Sequence, residues 1–226
     1  MNAVVLDLFG TLVAAPTAAD RSDAANRLAR VIGCDPDAVE RYFLGSWQAR
    51  HDGTLPTVAA LARHLVRNVK GLASAIAPVA NELHELARPR LVPDTSVVAA
   101  LLSLWRAGYR LGLLSDASAD IAEAWPTSPL AAVLDTAVFS CSVGHTKPDQ
   151  RLYAHVSHAL GVPADQTLYF GDGGGDELTG AANAGMTATA IHRRGGDDAL
   201  VFGTTPWCGP VIEAVEQIPA YVAGLR

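Results

Sequence analysis

The chain has 226 residues, a formal net charge of −6 and hydrophobic residues at half of its positions, which predicts a packed globular protein rather than a disordered one. Nucleic acids are bound through clustered lysine and arginine, and the basic residues here are scattered, so we expect no nucleic-acid partner. The N-terminus has neither a basic leader nor a long apolar stretch, which predicts no signal peptide and no membrane span. The cysteines, Cys34, Cys141 and Cys208, lack metal-binding spacing and are expected to be reduced thiols of a cytoplasmic protein.

Short apolar runs that alternate with helical patterns indicate an α/β fold with a Rossmann-like parallel sheet. The predicted strands are Val4–Phe9, Arg110–Ser115, Ala137–Ser140, Thr167–Phe170 and Thr187–Ile191. The predicted helices between the later strands lie near Thr95–Ala107, Asp149–Leu160 and Asp176–Ala184. A glycine- and aspartate-rich segment, Gly195–Asp198, is expected to be a solvated loop.

Residues 16–90 interrupt this alternation because they contain no convincing strand. The amphipathic segments found there instead are Ala19–Ile32, Pro36–Arg50, Leu55–Asn68 and Ala73–Ala87. A helical insert directly after the first strand is expected to form a cap domain over the strand ends, with residues 1–15 and 91–226 forming the α/β core. The alternative is that these helices form one long layer of the same domain.

The first strand runs into a carboxylate, Asp7, and then breaks at Gly10. Open parallel sheets bind ligands beyond the carboxyl ends of their strands, and a carboxylate there can act as a nucleophile. An aspartate that only caps a turn is the ordinary alternative. Three later segments of the sequence favour the interpretation of Asp7 as a nucleophile.

Two of these segments carry polar groups that could lie beside Asp7. Ser115 and Asp116 end the second predicted strand, where a hydroxyl can donate a hydrogen bond to a substrate oxyanion, although a serine there often only caps a helix. Lys147 precedes a predicted helix, with Pro148 expected at the first helical position. This lysine could neutralise charge on a carboxylate nucleophile, whereas a surface lysine is the ordinary alternative.

The third segment, Gly171–Glu177, joins glycines and acidic residues directly after an apolar strand. Small residues let the backbone pack around a polar centre, and carboxylate oxygens suit Mg²⁺. We expect Asp172 to be a direct ligand, with Asp176, and then Glu177, in direct or water-bridged roles. A plain surface turn is the alternative.

Taken in this order, the segments resemble the haloacid dehalogenase superfamily of hydrolases. Asp7–Thr11 matches its first motif, Ser115 its second, Lys147-Pro148 its third and Gly171–Asp176 its fourth. The resemblance covers essentially the whole chain, including a helical cap inserted after the first motif.

The resemblance implies a role for each matching residue. Asp7 would attack the substrate and form a covalent aspartyl intermediate, Thr11 and Ser115 would bind oxygens of the transferred group, and Lys147 would stabilise the charged nucleophile. The residues expected to hold Mg²⁺ are Asp7, Phe9 through its backbone carbonyl, Asp172 and Asp176. The residues expected to contact the substrate are Phe9, Gly10, Asp116 and Arg50, the last from the cap, where its alternative is a solvated surface position.

The sequence departs from the phosphatases of this superfamily at Phe9, where they usually carry an aspartate that protonates the leaving group. General acid catalysis is typically worth roughly 10²–10⁴-fold, and a phenyl ring cannot transfer a proton. Dehalogenating members also lack this aspartate. They work without metal, however, and typically lack an acid at the position of Asp172.

The leading hypothesis is therefore a Mg²⁺-dependent phosphohydrolase of a small phosphorylated metabolite, because the acidic residues beside Asp7 would repel one another without a cation. The alternatives are a 2-haloacid dehalogenase-type hydrolase, and an impaired member that only binds a ligand or partner. The expected partner is a small-molecule substrate. The sequence leaves both a monomer and a homodimer open.

Overall fold

The computed structural model of the protein describes residues 1–195 and 206–225. Its centre is a parallel sheet whose strand order, within these residues, is β3-β2-β1-β4-β5-β6. The strands are β1 Ala3–Leu6, β2 Arg110–Ser115, β3 Thr136–Phe139, β4 Thr167–Gly171, β5 Thr187–Ile191 and β6 Val211–Ile212. The predicted α/β fold with a Rossmann-like sheet is confirmed.

Strand β1 lies in the middle of the sheet and is buried along its whole length, which explains its continuous apolar sequence. Leu6, its last residue, pairs with Leu113 of β2 and with Phe170 of β4. The carboxyl ends of the three strands therefore reach the same edge of the sheet, where their following residues meet.

The ends of β3 and β4 differ from their predicted bounds by one residue, and the sheet differs from the prediction more clearly at two other places. Strand β1 ends at Leu6 rather than Phe9, because the chain turns at once: the backbone N–H groups of Leu12 and Val13 both donate to the carbonyl of Leu8. Strand β6 was not predicted, since two residues are too few to show an alternating pattern. Of the expected loop Gly195–Asp198, residues 196–198 lie outside the described part.

The segment between β1 and β2 is helical, as predicted, and we call residues 16–90 the insert. Its helices are α1 Ala18–Ile32, α2 Pro36–Gly45, α3 Trp47–His51, α4 Val58–Asn68 and α5 Ile76–Ala87. They enclose a hydrophobic cluster of their own, centred on residues such as Leu28, Leu61 and Leu65. The predicted segment Pro36–Arg50 is divided at Ser46, which ends α2 and precedes α3. The assignment of the insert as a separate domain stays a prediction.

The remaining helices lie outside the insert, and several of them pack on the two faces of the sheet. They are α6 Thr95–Arg106, α7 Ala119–Ala124, α8 Ser140–Val143, α9 Gln150–Leu160, α10 Glu177–Asn183 and α11 Ile218–Gly224. The expected position of Pro148 is wrong: α9 begins two residues later, because the Asp149 side chain accepts a hydrogen bond from the N–H of Arg151 and caps the helix. No helix in the described ranges is both long and apolar enough to cross a membrane.

The insert contacts the core mainly through α7. The Glu123 carboxylate accepts a hydrogen bond from the backbone N–H of Val58 at 2.8 Å and pairs with His84 at 3.0 Å. Ala119 packs into the hydrophobic cluster of the insert. These contacts hold the helices of the insert beside the loop that follows β2, at the edge of the sheet where Asp7 lies.

Candidate active site

Asp7 is the buried carboxylate at the centre of this edge. Its backbone N–H donates to the carbonyl of Phe170 at 2.9 Å, which fixes it directly beyond β1. Lys147 Nζ donates to Oδ1 at 2.5 Å, and the Thr11 hydroxyl donates to Oδ2 at 3.3 Å. Burial raises the pKa of Asp7; Lys147 opposes this shift and Asp172 adds to it. Neighbouring cations are therefore needed to keep this carboxylate ionised.

Lys147 lies between two carboxylates, with its side chain only 3% exposed. Its ammonium group contacts Asp7 and Glu177, each at 2.5 Å. Burial alone would lower the pKa of Lys147, but Asp7, Glu177 and Asp116 together raise it well above its ordinary value. The lysine therefore stays charged, and the alternative of a solvated surface lysine is wrong.

Glu177, the last residue of the glycine- and acid-rich segment Gly171–Glu177, is a buried acid. Besides Lys147, it accepts hydrogen bonds from the Tyr169 hydroxyl at 2.7 Å and from the backbone N–H of Gly173 at 2.9 Å. Gly171 is required beside it, since any side chain there would collide with the Glu177 carboxylate. Burial and the charge of Asp7 raise the pKa of Glu177 to about 8, against the opposing effect of Lys147.

The acidic group that suits a metal ion consists of Asp7, Asp172 and Glu177. One carboxylate oxygen from each lies within 4.8 Å of the other two. Buried carboxylates packed this closely repel one another unless a cation joins them, and hard oxygen donors are what Mg²⁺ prefers. The residues present therefore fit Mg²⁺. Asp176, expected from the sequence as a ligand, is not in this group; it precedes α10 with a left-handed φ of 53°.

Arg193, just beyond β5, is a site residue that the sequence did not reveal. Its Nε contacts Asp172 Oδ2 at 2.5 Å. The next residue, Arg194, donates its backbone N–H to the carbonyl of Gly10 at 2.7 Å, which ties this segment to the turn after Asp7. Gly10 has a positive φ of 88°, and a side chain there would collide with the Asp172 carboxylate. A guanidinium group thus already pairs with a predicted metal ligand.

Ser115 and Asp116 lie at the end of β2, on the same edge as Asp7. Ser115 is buried. Asp116 Oδ1 accepts a hydrogen bond from the backbone N–H of Lys147 at 3.1 Å, which links the loops after β2 and β3. Burial raises the pKa of Asp116 to about 6, although Lys147 lowers it. Both residues are therefore brought to the site.

Phe9 carries no titratable group, and its ring lies under a guanidinium. Arg90, at the end of the insert, places Cζ 4.8 Å from the ring centroid of Phe9. Arg50, the expected substrate contact in the insert, lies on α3 with Cζ 5.0 Å from the Phe43 ring. The carboxylate of Asp120 faces both arginines and opposes the lowering of their pKa values by burial. Arg50 is thus turned toward the core rather than toward solvent.

A groove of about 510 Å³ opens beside these residues. Gln48 and Asp52 of the insert line one side, and residues 144–150 of the core, which include Lys147, line the other. The groove gives a small molecule room to lie between the insert and the core.

Comparison with known proteins agrees with this geometry. A family model described as haloacid dehalogenase-like hydrolase matches residues 1–185. The chain is 28% identical over 206 residues to Phosphatase MT3486 of Mycobacterium tuberculosis (strain CDC 1551 / Oshkosh), covering 86% of this chain and 89% of that protein.

Similar solved structures include enzymes of both kinds. A 2-haloacid dehalogenase from Pseudomonas syringae pv. Tomato DC3000 superposes with a TM-score of 0.70 at 20% identity, covering 100% of both chains. A HAD phosphatase from Thermococcus onnurineus gives 0.67 at 18% identity, covering 99% of both chains. At these identities the structures establish the fold alone. With the family match over most of its length, the chain belongs to the haloacid dehalogenase-like hydrolases.

Proposed function

We propose that the protein is a Mg²⁺-dependent phosphohydrolase of a small phosphorylated metabolite, with Asp7 as the nucleophile. The observation that carries this proposal is the buried contact of Lys147 with both Asp7 and Glu177, at 2.5 Å each, beside Asp172. A lysine in this position keeps the nucleophile ionised, while the carboxylates can accept a divalent cation. The similarity to Phosphatase MT3486 supports the same reaction class.

The proposed reaction has two steps on Asp7. In the first, a carboxylate oxygen of Asp7 attacks phosphorus, the bond from phosphorus to the leaving-group oxygen breaks, and an aspartyl phosphate forms. In the second, water attacks the same phosphorus, which releases inorganic phosphate and restores the carboxylate. Lys147 holds Asp7 in place throughout, and the Thr11 and Ser115 hydroxyls donate hydrogen bonds to phosphoryl oxygens.

Mg²⁺ would be held by Asp7, Asp172 and the Phe9 carbonyl, with Glu177 or Asp176 nearby, and would neutralise charge on the phosphoryl group. Arg193 would have to release Asp172 when the cation binds, because both use the same carboxylate. The freed guanidinium could then pair with a phosphoryl oxygen.

Phe9 shapes the expected substrate preference. Because its ring cannot donate a proton, the leaving-group oxygen departs with no help from this position. Substrates whose leaving group is already a weak base should therefore react faster than simple alkyl phosphates.

The same residue supports a second candidate, a 2-haloacid dehalogenase-type hydrolase. There the Asp7 carboxylate would attack carbon, halide would leave unprotonated, and water would hydrolyse the resulting ester. Phe9 suits this reaction, because a halide needs no general acid. The carboxylates beside Asp7 argue against the dehalogenase, because they repel one another unless a cation binds between them, and this reaction uses no metal.

The deciding experiment measures release of phosphate from aryl and alkyl phosphates, and of chloride from 2-chloropropionate, in EDTA and in Mg²⁺. We expect phosphate release that EDTA abolishes and Mg²⁺ restores. Chloride release that persists in EDTA, with no phosphate release in Mg²⁺, would replace the phosphohydrolase with the second candidate. Asp7→Asn is the control, because it keeps the shape of the side chain and removes the nucleophile.

A further inference from the structure

Asp116 is a carboxyl group of the site that the phosphoryl transfer described above does not use. It directly follows Ser115, the last residue of β2, whose hydroxyl would donate to a phosphoryl oxygen. The Oδ1 atom of Asp116 accepts a hydrogen bond from the backbone N–H of Lys147 at 3.1 Å. The carboxyl group is therefore held against the loop that carries the lysine of the site.

The other oxygen of Asp116, Oδ2, has no hydrogen-bond or ion-pair partner within residues 1–195 and 206–225. A Cβ atom at Gly175 would lie 3.5 Å from Oδ2, so the absence of a side chain there leaves open the space in front of this oxygen. The residue as a whole is half-buried. One oxygen of the carboxyl group is thus anchored, and the other can contact a ligand.

The other acids of the site have no free oxygen. Each carboxylate oxygen of Asp7, Asp172 and Glu177 already accepts a hydrogen bond, from a side chain or from the backbone of the glycine-rich segment. Among the four carboxyl groups at this edge, in the part of the chain that the structure describes, Asp116 is therefore the one that can donate a proton without first breaking a contact.

Asp116 follows β2 at the same distance along the chain as Phe9 follows β1. The last paired residues of these two strands are Leu6 and Leu113, and Phe9 and Asp116 each lie three residues further on. Because the strands are adjacent and parallel, both residues leave the sheet at the edge where Asp7 lies. Phosphatases of the superfamily usually carry their proton donor at the position of Phe9, and here the neighbouring strand supplies a carboxyl group instead.

An asparagine could fill the structural role of Asp116. Its amide oxygen could accept the same hydrogen bond from Lys147, and it would add no negative charge beside Asp7. The carboxyl group differs from that amide in carrying a proton that it can give up. Burial raises the pKa of Asp116 to about 6, and a general acid works best when its pKa lies near the operating pH.

We propose that Asp116 donates the proton to the leaving group, through Oδ2, in place of the acid that is absent at Phe9. The proposal rests on the phosphohydrolase function above. When Asp7 attacks phosphorus and the bond to the leaving-group oxygen breaks, the proton moves from Asp116 to that oxygen, and an alcohol departs. When water then attacks the aspartyl phosphate, the Asp116 carboxylate takes the proton that the water loses, which restores the acid.

The test compares two esters in Mg²⁺ near pH 6: ethyl phosphate, whose leaving group needs a proton, and nitrophenyl phosphate, whose leaving group is a weak base. Asp116→Asn should lower kcat/KM for ethyl phosphate by roughly 10²–10⁴-fold and leave that for nitrophenyl phosphate close to the wild-type value. An equal loss on both esters would show that Asp116 only positions the Lys147 loop, and would overturn the proposal, as would no loss on either. Asp116→Ser, which also lacks the acid, decides the question if Asp116→Asn does not fold.

The pH dependence of the two rates gives a second readout. The charged or titratable groups that face Asp116 are Lys147, Asp7 and Tyr153. Lys147 stays charged, Asp7 attacks in its ionised form, and burial raises the pKa of Tyr153 far above its ordinary value, so none of them donates a proton near pH 6. The rate ratio of ethyl to nitrophenyl phosphate should therefore rise in the wild type as the pH falls toward 6.

The phosphate groups of the substrates also titrate near pH 6, but they do so for both proteins alike. The wild-type ratio should consequently rise more steeply on acidification than the ratio of Asp116→Asn. Profiles of the same shape for the two proteins would overturn the proposal.

Asp135→Asn is the matched control. Asp135 also accepts a hydrogen bond from a backbone N–H, that of Leu111 at 2.7 Å, but at the opposite end of β2. The control should keep the wild-type ratio of the two esters, and a loss confined to ethyl phosphate, equal to that of Asp116→Asn, would overturn the proposal.

The two esters also separate this proposal from the function on which it rests. If the wild type hydrolyses both esters in Mg²⁺ and Asp116→Asn does not discriminate between them, Asp116 is not the proton donor and the phosphohydrolase stands. If the wild type hydrolyses neither these nor other phosphate esters in Mg²⁺, both the phosphohydrolase and the proton donor are refuted.

Discussion

Asp116→Asn should stabilise the folded protein at neutral pH, even though it changes a residue beside the site. Burial raises the pKa of Asp116 to about 6 from an ordinary 3.8, with Lys147 partly opposing the shift. The folded state therefore holds the carboxyl proton more tightly than the unfolded chain does, and ionising it in the fold costs free energy. The difference between these pKa values corresponds to up to roughly 3 kcal/mol, at about 1.36 kcal/mol per pKa unit.

This cost depends on pH in a defined direction. Below 3.8 the carboxyl is protonated in both states and the cost is absent, whereas above about 6 it is ionised in both and the cost is complete. The stability contribution of Asp116 therefore falls as the pH rises through this window. Asparagine does not titrate, and its amide oxygen can still accept the hydrogen bond from the backbone N–H of Lys147.

Urea unfolding of the two proteins at several pH values measures the effect. The free energy of unfolding of Asp116→Asn should exceed that of the wild type at neutral pH, and the gap should narrow on acidification. Asp165→Asn, at an exposed aspartate, is the control and should show no comparable gap. If Asp116→Asn were less stable than the wild type at neutral pH, or if the difference between their free energies of unfolding did not change with pH, burial of an ionised Asp116 would not be destabilising.

Three further predictions concern the chemistry of the site. Asp7→Asn should abolish turnover while its circular dichroism spectrum and unfolding midpoint stay close to wild type, and residual activity near the starting level would remove Asp7 from the mechanism. The Arg193→Gln variant should bind Mg²⁺ roughly tenfold more tightly than the wild type in calorimetry without substrate, because a charge-assisted hydrogen bond to Asp172 no longer has to be broken. Weaker Mg²⁺ binding by the variant would contradict a competition between Arg193 and the metal for Asp172. Phe9→Asp should raise the ratio of the hydrolysis rate of alkyl phosphates to that of aryl phosphates by up to roughly 10²–10⁴-fold. An unchanged ratio would show that another group supplies the proton.

The central strands could be predicted from sequence because burial on both faces leaves a continuous apolar run. Strand β2 and strand β5 have the predicted bounds, Arg110–Ser115 and Thr187–Ile191. The end of β1 could not be located, because Leu8 and Phe9 are as apolar as the strand itself and only the hydrogen bonds to the Leu8 carbonyl reveal the turn. Ser46 divides α2 from α3 directly after Gly45, and because an isolated glycine is tolerated within a helical pattern, the sequence predicts one longer helix.

The site residues that follow parallel strands could be predicted together, because the ends of β1, β2 and β4 meet at one edge. Asp7 and Asp172 follow β1 and β4 directly and do converge there, and Lys147 reaches Asp7 from the loop before α9. Arg193 and Arg90 could not be predicted, since their partners Asp172 and Phe9 lie 21 and 81 positions away along the chain. An arginine after a strand or near a helix end is ordinarily a surface residue, and only the fold brings these two to the site.

The charge balance of the site favours the proposed phosphoryl transfer over the second candidate reaction at Asp7. Four carboxylates and two cationic side chains meet at this edge of the sheet, so full ionisation of the four acids would leave two negative charges without a partner. Burial is the largest cause of the raised pKa values of Asp7, Asp116 and Glu177, and the charges of neighbouring acids add to it, as expected of buried carboxylates that are short of counter-charges. One divalent cation would supply the missing charge, and a phosphoryl group could then approach the carboxylates. A displacement at carbon that uses no metal would leave these negative charges uncompensated beside Asp7. The groups counted are Asp7, Asp116, Asp172 and Glu177 against Lys147 and Arg193.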